Sequence, residues 1–387
     1  VGTLGLLLKE SWANVEEHAD DLANRFYARI FLSDPSLRDL FPVEMTRQRS
    51  RLLDALVSAV QMVDDPERFD EFLRGLGRDH RKFHVSPDHY GTVGEALLDA
   101  VRAYSGEHWS VEHEQAWRDA YDAMATKMIT GAEESTGSPP FWHSVVVSHE
   151  RRGRDVAVFT CKPLLPFTYR PGQYVTLECQ YQPRLWRPYS IANAPRANGT
   201  VDFHVRAPAD GWVSAALVRQ LRVGDVVRLA APMGSMTLDL DSTRDIVCVA
   251  GDTGLAPLKA LIEELALNNC TRWAHVFLGA EDRDDLYDLP EITRMARRYP
   301  WLSVVAACAN DPGYTGEQGR VNEVVERYGP WAEHDFFVSG SPAIVRATLG
   351  SLARMGVPDE RIRYDALVNL SSARAAPGPG TPRPGPA

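Results

Sequence analysis

The chain is 387 residues long, enough for two or three domains and more than one core. Its 44% hydrophobic content is that of a globular protein, and its formal net charge of −10 argues against a general nucleic-acid binder, which must neutralise phosphates with Lys and Arg. The balance favours small-molecule chemistry.

Residues 1–135 show helical periodicity throughout. The short apolar run Leu4 to Leu8 lacks a basic leader and flows into a helical pattern, so it reads as a helix start rather than a signal core. Helices are expected at about 3–17, 19–32, 46–63 (after the Phe41-Pro42 corner), 66–83, 87–105 and 111–134, with Ser86-Pro87-Asp88 capping the fifth. The fourth carries Phe69, Phe72, Leu73, Leu76 and His80 on one face, at spacings of three and four. A polar stretch, Glu133 to Pro140, marks a boundary, with residues 136–140 as linker. Short strands at 144–147, 172–179, 201–206 and 225–230 then suggest an antiparallel barrel over 141–240. From 241 to 370, strands at 245–250, 273–279, 302–308 and 336–339 alternate with helices, the pattern of a doubly wound α/β domain. The Pro- and Gly-rich tail, 371–387, is expected to be disordered. No apolar run approaches a membrane span. Cys161, Cys179, Cys248, Cys270 and Cys308 are scattered without Cys-x-x-Cys spacing, which suggests reduced thiols in a cytoplasmic protein rather than a disulfide, zinc or iron-sulfur framework.

Two segments carry most of the chemistry. In Arg187-Pro188-Tyr189-Ser190-Ile191-Ala192-Asn193, the Arg supplies a positive fork suited to a pyrophosphate, the Tyr a ring to lie on an isoalloxazine, and the Ser a hydroxyl for a ring nitrogen. Alone, the segment reads equally well as an ordinary strand with an exposed Arg. In the second, the apolar strand at 245–250 enters Gly251-Asp252-Thr253-Gly254-Leu255-Ala256-Pro257, where Pro257 opens a helix whose free amides favour a phosphate. Around these lie Gly172-Gln173-Tyr174, His204-Val205-Arg206, Gly211-Trp212-Val213-Ser214 and Gly340-Ser341-Pro342. Taken in order, the segments resemble the ferredoxin-NADP reductase superfamily over about residues 141–370. The resemblance implies FAD bound by Tyr174, Arg187, Tyr189, Ser190, Asn193, His204, Arg206, Trp212, Val213 and Ser214. It implies a nicotinamide dinucleotide at Gly251, Thr253, Gly254, Pro257, Gly340, Ser341 and Pro342. Glu281, just past the strand at 273–279, is placed to bond ribose hydroxyls and repel the extra phosphate of NADP; Arg283 counts the other way, and Glu281 also reads as a solvated loop charge.

His80 on an apolar helix face is, by itself, most simply a core histidine bonded to a carbonyl. Its surroundings, Asp79-His80-x-x-Phe83-x-Val85-x-Pro87-x-x-Tyr90 with the Phe41-Pro42 corner, resemble a globin of the bacterial flavohaemoglobin type, in a divergent, actinobacterial-looking form. The fold this implies is an all-α globin, then an antiparallel β-barrel FAD domain, then a doubly wound α/β NAD domain. It makes His80 the ligand of haem b iron, lines the haem pocket with Phe41, Leu52 and Tyr90, and makes Tyr27 and Gln48 the catalytic hydrogen-bond donors to an iron ligand. His84 and His89 are rival ligands by proximity alone. Three departures stand out: Asp79 in place of a lysine, Ala132 in place of a proximal glutamate, and a segment Tyr364-Asp365-Ala366-Leu367 that lacks the aromatic usually covering the flavin where the nicotinamide must enter.

The implied activity is electron transfer from NADH (or NADPH) through FAD to haem, with oxygen and nitric oxide converted to nitrate. An NAD(P)H oxidase or haem reductase with another acceptor, and a haem-based gas sensor, are the alternatives. A monomer or weak dimer is expected.

Overall fold

The computed structural model describes residues 3–62, 65–209, 211–268 and 271–365. The chain divides into two compact units, Val1–Phe141 with Pro183–Leu185, and Trp142–Gln182 with Trp186–Ala387.

The first unit is helical: α1 (Thr3–Val15), α2 (Ala19–Ser33), α3 (Thr46–Met62), α4 (Pro66–His80), α5 (Pro87–Ser105) and α6 (Val111–Glu134). Leu22, Phe26, Ile30, Leu97, Val101 and Trp117 centre its core, where the Trp117 indole N–H finds its partner in Ser11 Oγ at 2.8 Å. Phe41 is extended after a 3-10 turn, Pro35–Leu40, as the residue before a proline must be. Helices α4 and α6 cross with their backbones nearly touching. A Cβ on Gly77 would stand 1.9 Å from Met128 O, and one on Gly131 2.3 Å from Arg74 O; only glycine permits this approach, which fixes the end of α4 and thus His80. The fourth helix is shorter than expected. It tightens after His80 into a 3-10 turn, Arg81–Phe83, and His84 turns left-handed at φ 59°, because the chain must reverse before the Ser86-Pro87 start of α5.

The second unit opens with β1 (Trp142–Arg151), β2 (Val156–Pro163), β3 (Tyr174–Cys179), β4 (Arg187–Ser190), β5 (Val201–Arg206), α7 (Trp212–Arg219) and β6 (Val226–Leu229). The sheet order is β4-β3-β6-β1-β2-β5, with antiparallel pairs. A bridge from Ile191 to Phe203 joins the two edge strands, so six strands form a nearly closed barrel.

Next come β7 (Ile246–Gly251), α8 (Leu255–Leu267), β8 (Ala274–Ala280), α9 (Leu289–Arg298), β9 (Leu302–Cys308), β10 (Glu317–Gln318), α10 (Val321–Tyr328), β11 (Asp335–Ser339), α11 (Pro342–Arg354) and β12 (Ile362–Tyr364). They form a parallel sheet in the order β10-β9-β8-β7-β11-β12. Every residue of β7 is buried, since Ile246, Cys248 and Ala250 face one core and Val247 and Val249 the other. That two-sided burial is why this strand reads as a continuous apolar run. The strand order reverses at β7 and β11, which makes their carboxyl ends the switch point where such sheets bind ligands. Helix α8 begins at Leu255, two residues before Pro257, which still falls in the first turn where a missing N–H costs nothing. Residues 366–387, including the expected disordered tail, and Cys270 lie outside the described residues.

Candidate functional site

In the helical unit, Tyr27 is buried on α2, and its ring meets Phe41 edge-on at 5.4 Å. Its hydroxyl donates to the Gln48 backbone carbonyl at 3.4 Å, and burial pushes its pKa up to about 12. Leu52 and Phe41 pack against the same core. These four predicted residues therefore come together.

His80, at the end of α4, donates from Nδ1 to Leu76 O at 2.8 Å. Burial lowers its pKa, so the ring is a neutral imidazole with its Nε2 lone pair uncommitted to that bond, the form a metal ligand requires. These features fit a haem ligand. The imidazole is steered by a neutral carbonyl, not a carboxylate, as Ala132 leads one to expect: Glu134 on α6 pairs instead with Arg74 at 2.6 Å. His89 serves α5, its Nδ1 accepting from Ser86 N at 3.2 Å, and His84 faces Phe141. Tyr90 is held through its carbonyl, which accepts from Tyr121 Oη at 2.6 Å. Sequence reasoning missed Lys82, a buried ammonium paired with Asp79 at 2.5 Å; its i+3 spacing from Asp79 was the available signal.

In the second unit, register places Tyr174 opposite Ser190 and Val175 opposite Tyr189. The Ile191–Phe203 bridge sets Ser190 across from His204. The His204 ring is buried, its Nδ1 within 2.7 Å of Tyr287 Oη, while Nε2 is buried without a partner. Burial, with the Lys259 and Arg152 charges, holds its pKa well below the usual value. Ser190 Oγ donates to Asp365 Oδ2 at 3.0 Å, and Ser339 Oγ lies 3.3 Å from the same oxygen. Asp365 was quoted in the sequence only for what its neighbours lack; its place directly after a late strand was the clue to its role. Arg187 on β4 bonds Trp186 O through Nη1. Helix α7 starts at Trp212, with Val213 buried, Trp212 exposed and Ser214 Oγ bonded to Gly211 O at 3.1 Å. A guanidinium, the free amides of a helix start, an aromatic ring and a buried orphan nitrogen suit a flavin dinucleotide.

Two of the predicted flavin contacts, Asn193 and Arg206, also have partners within the protein. Asn193 is buried and spends its amide on Tyr169, Ala194 and Thr200, and its oxygen on Asp202 N. Arg206 ties the barrel to the α/β part through Asp285 at 2.9 Å and Asp252 at 3.4 Å, and bonds Asp155 of the barrel's own β1–β2 turn at 3.2 Å. The spacing of a motif does not reveal such partners, which arrive from distant segments.

At the switch point, Gly251 ends β7 and Thr253 and Gly254 form a 3-10 turn. A Cβ on Gly254 would stand 2.4 Å from Ser339 O, and one on Gly340 3.1 Å from Gly251 N. The glycines thus let the turns after β7 and β11 lie back to back, presenting the α8 start. Ser341 caps α11, accepting from Ile344 N, and Pro342 is its first residue. Glu281 follows β8 and accepts from Asn310 Nδ2. Arg283 is held by Asp311, at 2.5 and 2.8 Å. No helix among the described residues is long and apolar enough to cross a membrane.

Comparison with known proteins matches three family descriptions in order: Globin over residues 24–128, Oxidoreductase FAD-binding domain over 143–238, and Oxidoreductase NAD-binding domain over 248–349. The flavohemoprotein of Bacillus subtilis is 24% identical, over 93% of this chain and 95% of its own. That of Bordetella pertussis is 28% identical, over 93% and 96%. These sources lend no support to an actinobacterial cast. The crystal structure of flavohemoglobin from Malassezia yamatoensis with bound FAD and heme shares the fold, with a TM-score of 0.77 at 18% identity, covering 94% of this chain and 98% of that one. The chain is an oxidoreductase built from a globin domain followed by FAD-binding and NAD-binding domains, an order in which it is similar to these flavohemoproteins, and the domains call for haem, FAD and a nicotinamide dinucleotide.

Proposed function

We propose that the chain is a nitric oxide dioxygenase, drawing electrons from NADH to convert nitric oxide and oxygen to nitrate. The domains run over 1–135, 141–240 and 241–370 in this reading. The observation that carries it is that one globin unit holds a buried, neutral His80 together with the polar pair Tyr27 and Gln48. When bound, haem and FAD supply the redox chemistry, and the protein supplies placement and electrostatics.

His80 Nε2 would hold the iron. Tyr27, whose pKa is raised to about 12, stays protonated, and its hydroxyl would turn from the Gln48 carbonyl to donate to a bound ligand, joined by the Gln48 amide, beside the apolar Phe41 and Leu52. Arg187 and the first amides of α7 would hold a pyrophosphate, and Tyr189 would offer its ring to the flavin. Ser190 keeps its hydroxyl proton directed at Asp365 Oδ2. Thr253, Gly254 and the α8 start hold the dinucleotide phosphates, while Glu281 takes ribose hydroxyls. The test is anaerobic reduction by NADH, followed by oxygen and nitric oxide: nitrate should form in step with NADH oxidation. Nitric oxide loss at the background rate while NADH oxidation continues overturns the reading.

One observation favours a second reading, an NAD(P)H oxidase or haem reductase. His80 is steered by Leu76 O rather than by a carboxylate, so the imidazole is a weaker electron donor than a carboxylate-bonded one. Superoxide or peroxide matching NADH consumption distinguishes it.

A further inference from the structure

The loop after β8 reads Glu281-Asp282-Arg283-Asp284-Asp285, a single cation among four acids. It lies beside the loop after β9, since Ala309 N donates to Ala280 O at 3.0 Å and Asn310 N to Glu281 O at 2.8 Å. Arg283 is half exposed, yet its guanidinium is taken on two sides by Asp311, Nε at 2.5 Å and Nη2 at 2.8 Å. Asp311 is itself pinned by Gly313 N at 3.1 Å. The fork that would grip a phosphate dianion is already occupied by a carboxylate of matching geometry. The rest of the loop presents only negative charge.

We propose that Asp311 is a specificity-determining residue, which clamps Arg283 and so restricts the site to a dinucleotide whose adenosine ribose carries no 2′-phosphate. The proposal rests on the reading of this sheet edge as the nicotinamide dinucleotide site. Removing the clamp frees Arg283 to swing onto a 2′-phosphate; removing Arg283 from the intact clamp changes little, because its charge is already spent.

The test uses the full chain and isothermal titration with two probes, 5′-AMP and adenosine 2′,5′-bisphosphate. The wild type should prefer 5′-AMP by about tenfold or more, the equivalent of one charge-assisted contact. Asp311→Ala should tighten the bisphosphate by about tenfold and leave 5′-AMP within about twofold. Asp311→Ala with Arg283→Gln should lose that gain. Arg283→Gln alone, which leaves the Asp311–Gly313 bond in place, should keep the wild-type ratio of the two probes. The clamp is overturned if the wild type binds both probes equally. It is overturned too if Asp311→Ala leaves the ratio unchanged while 5′-AMP still binds, or if Arg283→Gln alone weakens the bisphosphate. If 5′-AMP does not bind the wild type, the site reading itself fails and the clamp falls with it.

Discussion

Replacing Gly254 with Ala tests how the nucleotide turn is held. The added Cβ would lie 2.4 Å from Ser339 O, 2.5 Å from Ser339 C and 2.6 Å from Gly340 N, where ordinary contact starts at 3.4 Å. The obstacles are backbone atoms of the strand beside β7, not the ends of flexible side chains, so the turn and the β11 loop must part by about 1 Å, the difference between 3.4 and 2.4 Å. Overpacking against so stiff a neighbour costs about 2–3 kcal/mol. With a urea slope of about 2 kcal/mol per molar, the unfolding midpoint should fall by about 1 M. A displacement of about 1 Å at a binding turn also costs about 100-fold in rate, so anaerobic stopped-flow should show flavin reduction by NADH slowed to that degree. Gly350→Ala is the control. It lies in α11, and its Cβ would meet only Arg354 Nη1 at 3.7 Å; the substitution should stabilise by about 0.5–1 kcal/mol through loss of unfolded-chain freedom. If Gly254→Ala unfolds and is reduced like the wild type, the back-to-back glycine packing does not hold the turn.

Other substitutions reach the remaining parts of the site. His80→Ala should abolish the normal Soret band while leaving FAD reduction by NADH intact; an unchanged band removes His80 as ligand. Tyr27→Phe should release oxygen from the reduced protein about tenfold faster, the loss of one hydrogen bond of about 1.4 kcal/mol, and flash photolysis would read this directly. The buried His204 supplies a pH dependence. Its folded pKa is depressed by burial, so the unfolded chain binds the proton that the folded one refuses. The His204 contribution is complete above the unfolded value of about 6.5 and is lost as pH falls toward the folded one, with a slope of up to about 1.4 kcal/mol per pH unit. Urea unfolding of the wild type and His204→Phe between pH 5 and 7 should differ in slope; parallel profiles would show that His204 is not held neutral.

Much of the architecture was legible from local pattern. Helix α5 begins and ends at the expected Pro87 and Ser105, because Ser86-Pro87 caps it and its apolar face repeats at helical period. Strand β9 spans the expected Leu302 to Cys308. The buried strand β7 announced itself as an unbroken apolar run, since both its faces lie in cores. The cap at Ser341 is likewise a local requirement of a helix start, whereas Gly251, Gly254 and Gly340 answer to the packing of segments distant in sequence.

What the local pattern did not carry was the pairing of distant charges. Arg206 and Asn193 sit inside a flavin-like motif, yet Asp155, Asp252 and Asp285 claim the first, and Tyr169, Ala194, Thr200 and Asp202 the second. Asp365 reaches Ser190 across 175 positions, and Asp311 reaches Arg283 across 28. A side chain's type and spacing follow from the one-dimensional order of residues, because helix and strand periods are local. Which carboxylate neutralises which guanidinium depends on how strands are ordered in the sheet and how the barrel meets it, and only the folded chain decides that.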